Sequence, residues 1–515
     1  MSCALWGGAA ASGPVLPSCP KTSMSEAYRS LVELSDELAV INSASALLGW
    51  DQEVLLPRNG VEHRARQLAW MSGLSHRRWT GEEVGEWIAS CESEFFGDGP
   101  EAANVREWRH DYERATALPV ELVEEFAKTQ SLAKVAWASA RESSDFGQFA
   151  PFLTDLIELT RRKAEHWGGG GNLYDVLLDT YERGAKVADL DGLFGRYRDQ
   201  LVPLVHEAVE GNRFDQARLL GDYPEEKQEA LNREVAESIG FDFEAGRIDT
   251  AVHPFCSGMG PGDVRLTTRY DRTDFRKSLF GVLHETGHGL YEQGLPAEYY
   301  GQPVGQSVSL GVHESQSRLW ENHVGRSPAF WEKWLGRAIE YFPGLSGVTV
   351  EEMVASVNQA SLSHIRVDAD EVTYDLHILL RYDLEKRIFA GELAVEDIPA
   401  AWNEEFERMF GERVKNDTEG CLQDIHWSMG IFGYFPTYTL GNLNASQLFA
   451  AAMNDSQVAN GFDRAEYGPL LDWMRKRVHG QGRRLLPADL VERASGASVS
   501  ENAHLTHLRK RYLER

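Results

Sequence analysis

The stretch Leu279-Phe280-Gly281-Val282-Leu283-His284-Glu285-Thr286-Gly287-His288-Gly289-Leu290-Tyr291 decides how this chain is read. Its apolar residues recur at three- and four-residue spacing, which predicts a helix. On a helix, positions four apart share a face, so His284 and His288 aim both imidazoles at one point. His-Glu-x-x-His on a helix is the pattern in which both imidazoles bind one zinc ion. Glu285 projects about 100° further round the helix. It is displaced from the ligand face, yet close enough to take a proton from a metal-activated water. Burying two histidines and a glutamate in an apolar helix is costly unless something satisfies them, and a divalent cation does so.

A catalytic zinc site also needs a third protein ligand and an open position. Downstream lies Leu310-Gly311-Val312-His313-Glu314-Ser315-Gln316-Ser317-Arg318-Leu319-Trp320-Glu321, the apolar-flanked start of a second helix. Glu314 stands 26 residues beyond His288, far enough for this helix to pack beside the first and bring a carboxylate to the ion. Glu314 is the preferred third ligand, with His313 a competitor, because no metzincin-type extension of the motif is present. The alternative for Glu314 is a helix-capping or ion-pairing role.

Helical periodicity continues on both sides of this pair, in 28–48, 104–140, 149–167, 187–210, 226–239, 328–340, 351–362, 370–391, 396–409, 444–453 and 466–478. The chain is predicted to be mainly α. Strand signals are few; Val264-Arg265-Leu266-Thr267-Thr268-Arg269-Tyr270 is the best, directly before the metal helix. Gly258 to Gly262 lacks the flanking strand and helix of a dinucleotide fingerprint and reads as a turn. Residues 1–23 read as a loose tail interrupted by Pro14, Pro17 and Pro20, with Met24 as an alternative initiator to Met1, and 24–515 as one helical domain.

Composition excludes several classes. The 515 residues are 42% hydrophobic and 25% charged, close to the globular average, which rules out collagen-like and wholly disordered chains. Acidic residues outnumber basic ones by 79 to 52, a formal charge of −27, so neither nucleic acid nor an anionic membrane surface is an expected partner. No apolar run approaches the ~20 residues that span a bilayer. The five cysteines, Cys3, Cys19, Cys91, Cys256 and Cys421, are scattered and include no CxxC pair. That pattern predicts a reducing, cytoplasmic setting and no cysteine-ligated zinc.

Six ordered motifs make the chain resemble the carboxypeptidase Taq family of metallocarboxypeptidases. They are His253-Pro254-Phe255, Asp263-Val264-Arg265-Leu266-Thr267, His284-Glu285-Thr286-Gly287-His288, His313-Glu314-Ser315-Gln316, Ile365-Arg366-Val367-Asp368-Ala369-Asp370 and Gly420-Cys421-Leu422-Gln423-Asp424-Ile425-His426-Trp427. The resemblance implies a large helical zincin-like groove fold with a small β-sheet beside the HExxH helix. It implies a metal bound by His284, His288 and Glu314, with Glu285 as general base, and release of single amino acids from peptide C-termini. It also implies a homodimer. Zn²⁺ is the expected ion, one per chain, and the same ligands accept Co²⁺.

Charge building on the scissile carbonyl oxygen calls for hydrogen-bond donors. His426 and Tyr434 are the catalytic candidates, and His253 and Tyr438 the substrate-binding ones. An exopeptidase acting at the C-terminus needs a cation for the terminal carboxylate, and arginine pairs with it in bidentate fashion. Arg366 is the first choice and Arg265 the second; a structural ion pair with a nearby aspartate is the alternative for Arg366. Asp370, Glu371 and His377 are expected to orient neighbouring site residues. Two rival readings are a different zinc peptidase on the same helical groove and a scaffold that binds metal without catalysis.

Overall fold

A computed structural model describes residues 25–514 apart from residues 95, 169, 212 and 213. The expected loose tail, Met24, Cys3 and Cys19 lie outside the described residues. The chain is mainly helical with one small sheet, as its periodicity predicts. Among the described residues, no helix is long and apolar enough to cross a membrane. Five helices and three strands position the site: α1 (Glu26–Val54), β1 (Gly246–Thr250), β2 (Cys256–Gly260), β3 (Asp263–Thr268), α2 (Phe275–Gly294), α3 (Leu310–Arg318), α4 (Tyr374–Ala390) and α5 (Pro436–Ala452).

The sheet has the order β1-β3-β2, with β1 parallel and β2 antiparallel to the central β3. Side chains alternate between the faces of a strand. Val264 and Leu266 therefore share one face of β3, and both belong to the buried cluster that holds Leu279, Val282 and Leu283 of α2. This packing puts the sheet beside the metal helix. The reading of Gly258 to Gly262 as a turn is corrected in part, since Gly258 and Gly260 lie in β2. Gly258 is there because the Glu292 carboxylate of α2 fills the space a side chain would need: its Oε2 lies 2.5 Å from where a Cβ would stand.

Helix ends follow capping rules. Asp274 caps α2 by accepting from the Arg276 amide, and Ser309 caps α3 by accepting from the Val312 amide. The periodic stretch 104–140 proves to be two helices, Pro100–Thr116 and Val120–Ser143, because Pro119 ends the pattern between them. Past α3 the chain widens into a π-helical turn, Leu319–Val324. Such turns are rare and recur at functional sites.

α4 is buried nearly throughout, so its polar residues need partners. Arg381 pairs with Asp424, Glu385 accepts from Tyr174 and Trp427, and Asp375 accepts from Tyr197, Thr439 and Asn442. α5 joins two hydrophobic clusters, with Leu440 and Leu443 in one and Ala445 and Leu448 in the other.

Candidate metal centre

α2 and α3 approach until their backbones nearly touch. A Cβ on Gly287 would lie 2.5 Å from the Gln316 carbonyl oxygen and 2.6 Å from the Ser317 Cα, so glycine is required inside the HExxH stretch. Gly441 of α5 closes in from the other side, where a Cβ would lie 2.5 Å from the Glu314 Cγ. The carboxylate of Glu314 is thus pressed toward α2. His284 Nε2 and His288 Nε2 stand 3.8 and 3.5 Å from Glu314 Oε2.

Ligand atoms of these three residues all lie within 4.8 Å of one another, the spacing of donors around one cation. The donor set of two imidazoles and a carboxylate fits a catalytic zinc-type site. Glu314 Oε1 is occupied by Arg318 Nε at 2.7 Å, which leaves Oε2 for the shared point. The side chain of His284 stays 21% exposed, so the point is accessible from solvent.

Electrostatics differ sharply among these groups. Burial works to raise the Glu314 pKa, but Arg318 and His284 outweigh it and hold the carboxyl well below its usual range. Burial pushes His288 down to about 4 against the opposing negative charge of the Glu314 carboxylate, so its imidazole is neutral near pH 7. Burial, opposed by His284 and assisted by Glu314, pushes Glu285 up to about 7. A carboxyl in that range can exchange a proton at neutral pH.

Orienting partners differ from the expected ones. His284 Nδ1 meets Glu321 Oε2 at 2.9 Å, and Glu321 is held by Arg318 and Arg326. His313, the competing ligand, stands behind the ion position and meets His288 Nδ1 at 2.6 Å. Asp370, Glu371 and His377 do not serve the trio. Asp370 accepts from the Ser361, Val372 and Thr373 amides; Glu371 pairs with His507 and Arg511; His377 packs on Phe406 and Phe410. Glu292 and Glu321 were missed. Glu292 had a signal, since it stands one turn past His288 on the same helical face. Glu321 depends on the π-helical turn, which leaves no periodic trace.

A second polar group lies beyond Tyr374. The Arg318 guanidinium stacks over the Tyr374 ring at 4.6 Å, and the Tyr374 hydroxyl accepts from Arg366 NH1 at 2.9 Å. Arg366 Nε and NH2 donate to Asp424 Oδ1, while Arg381 Nε and NH2 donate to Asp424 Oδ2. Two guanidiniums on one carboxylate leave this group with positive charge in excess. Tyr438 lies against it, with Arg366 5.2 Å from its ring centroid and its hydroxyl 3.5 Å from His426 Nε2. Tyr434 packs against Tyr438 and His426, with ring centroids 5.4 Å apart in each case. Burial raises the pKa of both tyrosines and lowers His426 to about 4, despite the opposing Asp424.

Contacts through Arg318 and Tyr374 link the trio His284, His288 and Glu314, with Glu285 beside it on α2, to Arg366, Tyr438, His426 and Tyr434. Arg265 and His253 are set apart. Arg265 points to the β3 face turned away from α2, pairs with Asp263 at 2.8 Å and stacks on Trp50 of α1 at 4.4 Å. His253 is exposed in the loop between β1 and β2.

A helical chain with this donor trio has the parts of a metal-dependent hydrolase. Residues 30–512 match the family model described as carboxypeptidase Taq (M32) metallopeptidase. Thermostable carboxypeptidase 1 of Thermus thermophilus is 45% identical over 500 residues, covering 94% of this chain and 98% of the relative. Carboxypeptidase 1 of Bacillus subtilis is 36% identical, with 93% and 97% covered. The crystal structure of the M32 carboxypeptidase from Deinococcus radiodurans superposes with a TM-score of 0.92 at 39% identity, covering 95% of this chain and 99% of that one. The chain belongs to the carboxypeptidase Taq (M32) metallopeptidase family. It is a peptide hydrolase of metal-dependent carboxypeptidase type.

Proposed function

We propose that the chain removes single amino acids from the C-termini of peptides at a zinc ion held by His284, His288 and Glu314. The observation that carries this reading is the convergence of the three donor atoms within 4.8 Å, with Glu285 buried one residue along α2. A divalent ion bound there supplies Lewis acidity, which polarises the scissile carbonyl and makes a water molecule more acidic. Zinc suits two imidazoles and one carboxylate, and Co²⁺ fits the same donors.

Glu285 acts as general base: its carboxylate accepts the proton of the attacking water and passes it to the departing amine. Tyr434, with its phenol kept protonated by burial, and the neutral His426 donate toward the oxygen on which charge develops. Arg366 receives the terminal carboxylate of the peptide, whose negative charge balances the excess left by two arginines on Asp424. Tyr438 packs against the same end of the peptide. Arg265, held by Asp263 and Trp50, and His253 lie away from the trio and carry no role in this reading.

Residues 24–515 work as one catalytic domain in this reading, supported by α5 joining both large clusters. The free thiols of Cys91, Cys256 and Cys421 support a cytoplasmic setting, and a homodimer is carried over from the family likeness. The test compares a short peptide with a free C-terminus and its C-terminal amide. Timed release of the last amino acid from the free acid alone is expected; equal cleavage of the amide defeats the carboxypeptidase assignment.

A further inference from the structure

The two imidazoles of the metal pair are held from behind by different partners. His284 Nδ1 meets a carboxylate directly, Glu321 at 2.9 Å. His288 Nδ1 instead meets a second imidazole, His313 Nδ1, at 2.6 Å, and His313 Nε2 meets Glu292 Oε1 at 2.8 Å.

The direction of this chain of hydrogen bonds follows from donor counting. A neutral imidazole has one N–H and one lone pair, and a carboxylate oxygen accepts. Ligation through His288 Nε2 leaves that ring's proton on Nδ1, so at this short contact His313 Nδ1 must accept, and His313 carries its proton on Nε2 facing Glu292. His288 then donates from Nδ1, and its Nε2 lone pair faces Glu314 Oε2, 3.5 Å away. The opposite direction would put a proton on His288 Nε2, turning ligand and carboxylate into a hydrogen-bonded pair with no room for an ion.

Packing holds the relay in line. The His288 and His313 rings sit 4.6 Å apart, and Tyr291 supports His313 at 5.3 Å. Gly258 of β2 leaves the space that the Glu292 carboxylate occupies. Glu292, His288 and His284 lie at successive four-residue steps on α2, while His313 precedes Glu314 on α3. The relay therefore joins both ligand-bearing helices a second time, behind the ion position.

We infer that His313 and Glu292 form a positioning relay that sets the tautomer of His288 and thereby how tightly the site holds its ion. This rests on the reading of His284, His288 and Glu314 as metal ligands. Neither relay residue touches the reacting atoms.

The test is zinc affinity of the full chain, measured by competition with a chromophoric chelator, for the wild type, His288→Ala, His313→Ala, His313→Asn and Glu292→Gln. An asparagine amide oxygen falls near the place of the imidazole Nδ1, so it accepts from His288 without reaching Glu292. His313→Ala is expected to weaken zinc binding about 10- to 100-fold. His313→Asn restores most of that loss, and Glu292→Gln, which keeps an acceptor oxygen, loses less than about tenfold. Unchanged affinity in His313→Ala, or an asparagine variant as weak as the alanine one, overturns the relay.

NMR of ¹⁵N-histidine in the zinc-loaded wild type reads the tautomers with no substitution at all. Protons on His288 Nδ1 and His313 Nε2 are expected, and the reverse overturns the inference. The two readings fail separately. Full zinc affinity in His288→Ala removes the ligand assignment itself, whereas affinity lost in His288→Ala and kept in His313→Ala removes only the relay.

Discussion

The metal end and the arginine end of the site are built from the same kinds of side chain with opposite balance. At the metal end, Glu285, Glu314 and Glu321 crowd around two imidazoles, with Arg318 and Arg326 on the outer side. At the arginine end, Arg366 and Arg381 share the single carboxylate of Asp424. Tyr374 joins them, stacking under Arg318 and accepting from Arg366. One end calls for a cation and the other for an anion. A divalent ion answers the first demand, and in the proposed reading the terminal carboxylate of a peptide answers the second, which no internal stretch of a peptide does.

The sharpest way to break this comparison is at the metal end. Glu285→Gln removes the proposed base and leaves the three proposed ligands in place. A fall in kcat of about 10²- to 10⁴-fold is expected with the metal content of the purified protein unchanged. Activity within twofold of wild type would remove Glu285 from the mechanism.

The next effect belongs to the arginine end. Arg366→Met leaves Asp424 paired with Arg381, so the fold keeps its buried ion pair. Loss of a charge-assisted hydrogen bond of about 1.5–3 kcal/mol predicts a drop in kcat/KM of roughly 10- to 100-fold for free-acid peptides. Steady-state kinetics over a set of peptides would show it; an Arg366→Met enzyme as efficient as wild type moves the carboxylate site elsewhere.

Gly441→Ala sharpens the role of α5 as a backstop for Glu314. On propensity alone the change stabilises a helix by about 1 kcal/mol. The Cβ would, however, meet the Glu314 Cγ at 2.5 Å. Overpacking of this kind costs about 1–3 kcal/mol, so a lower Tm and weaker metal retention are expected. A raised Tm with full metal content contradicts the close approach.

The smallest and most general effect separates local change from loss of the fold. Burial, reinforced by Arg475, lowers His479 to about 3, and burial, reinforced by Arg511, lowers His507 to about 4. Their unfolded values lie near 6.5, so between there and pH 4 the unfolded chain binds more protons than the native one. Stability therefore falls as pH falls through this window. Thermal melts at steps from pH 7 to pH 4 check it, and a flat Tm would show that these imidazoles are not buried neutral.

Much of this region is legible in the sequence. The four-residue step from His284 to His288 and the apolar flanks of α2 and α3 announced two helices and a metal pair. The alternating stretch at Val264 announced β3, while β1 and β2, short and rich in glycine, carried little signal. The expectation that Asp370, Glu371 and His377 orient neighbouring site residues failed because position in the chain says nothing about where each side chain turns. Glu371 went instead to the C-terminal helix, through His507 and Arg511. Arg366 shows both sides: its motif marked it, but only the fold showed that Asp424 is shared with Arg381.

By itself the sequence determined the helical class, the small strand before the metal helix, and the pairing of two imidazoles on one face. Helix and strand periods are local, and they place side chains on faces without reference to the rest of the chain. Only the tertiary structure decided which carboxylate reaches the imidazoles, which groups hold them from behind, and where the positive charge gathers. Those depend on how closely helices distant in sequence approach, at Gly287 against Ser317 and at Gly441 against Glu314, and no local period encodes such distances.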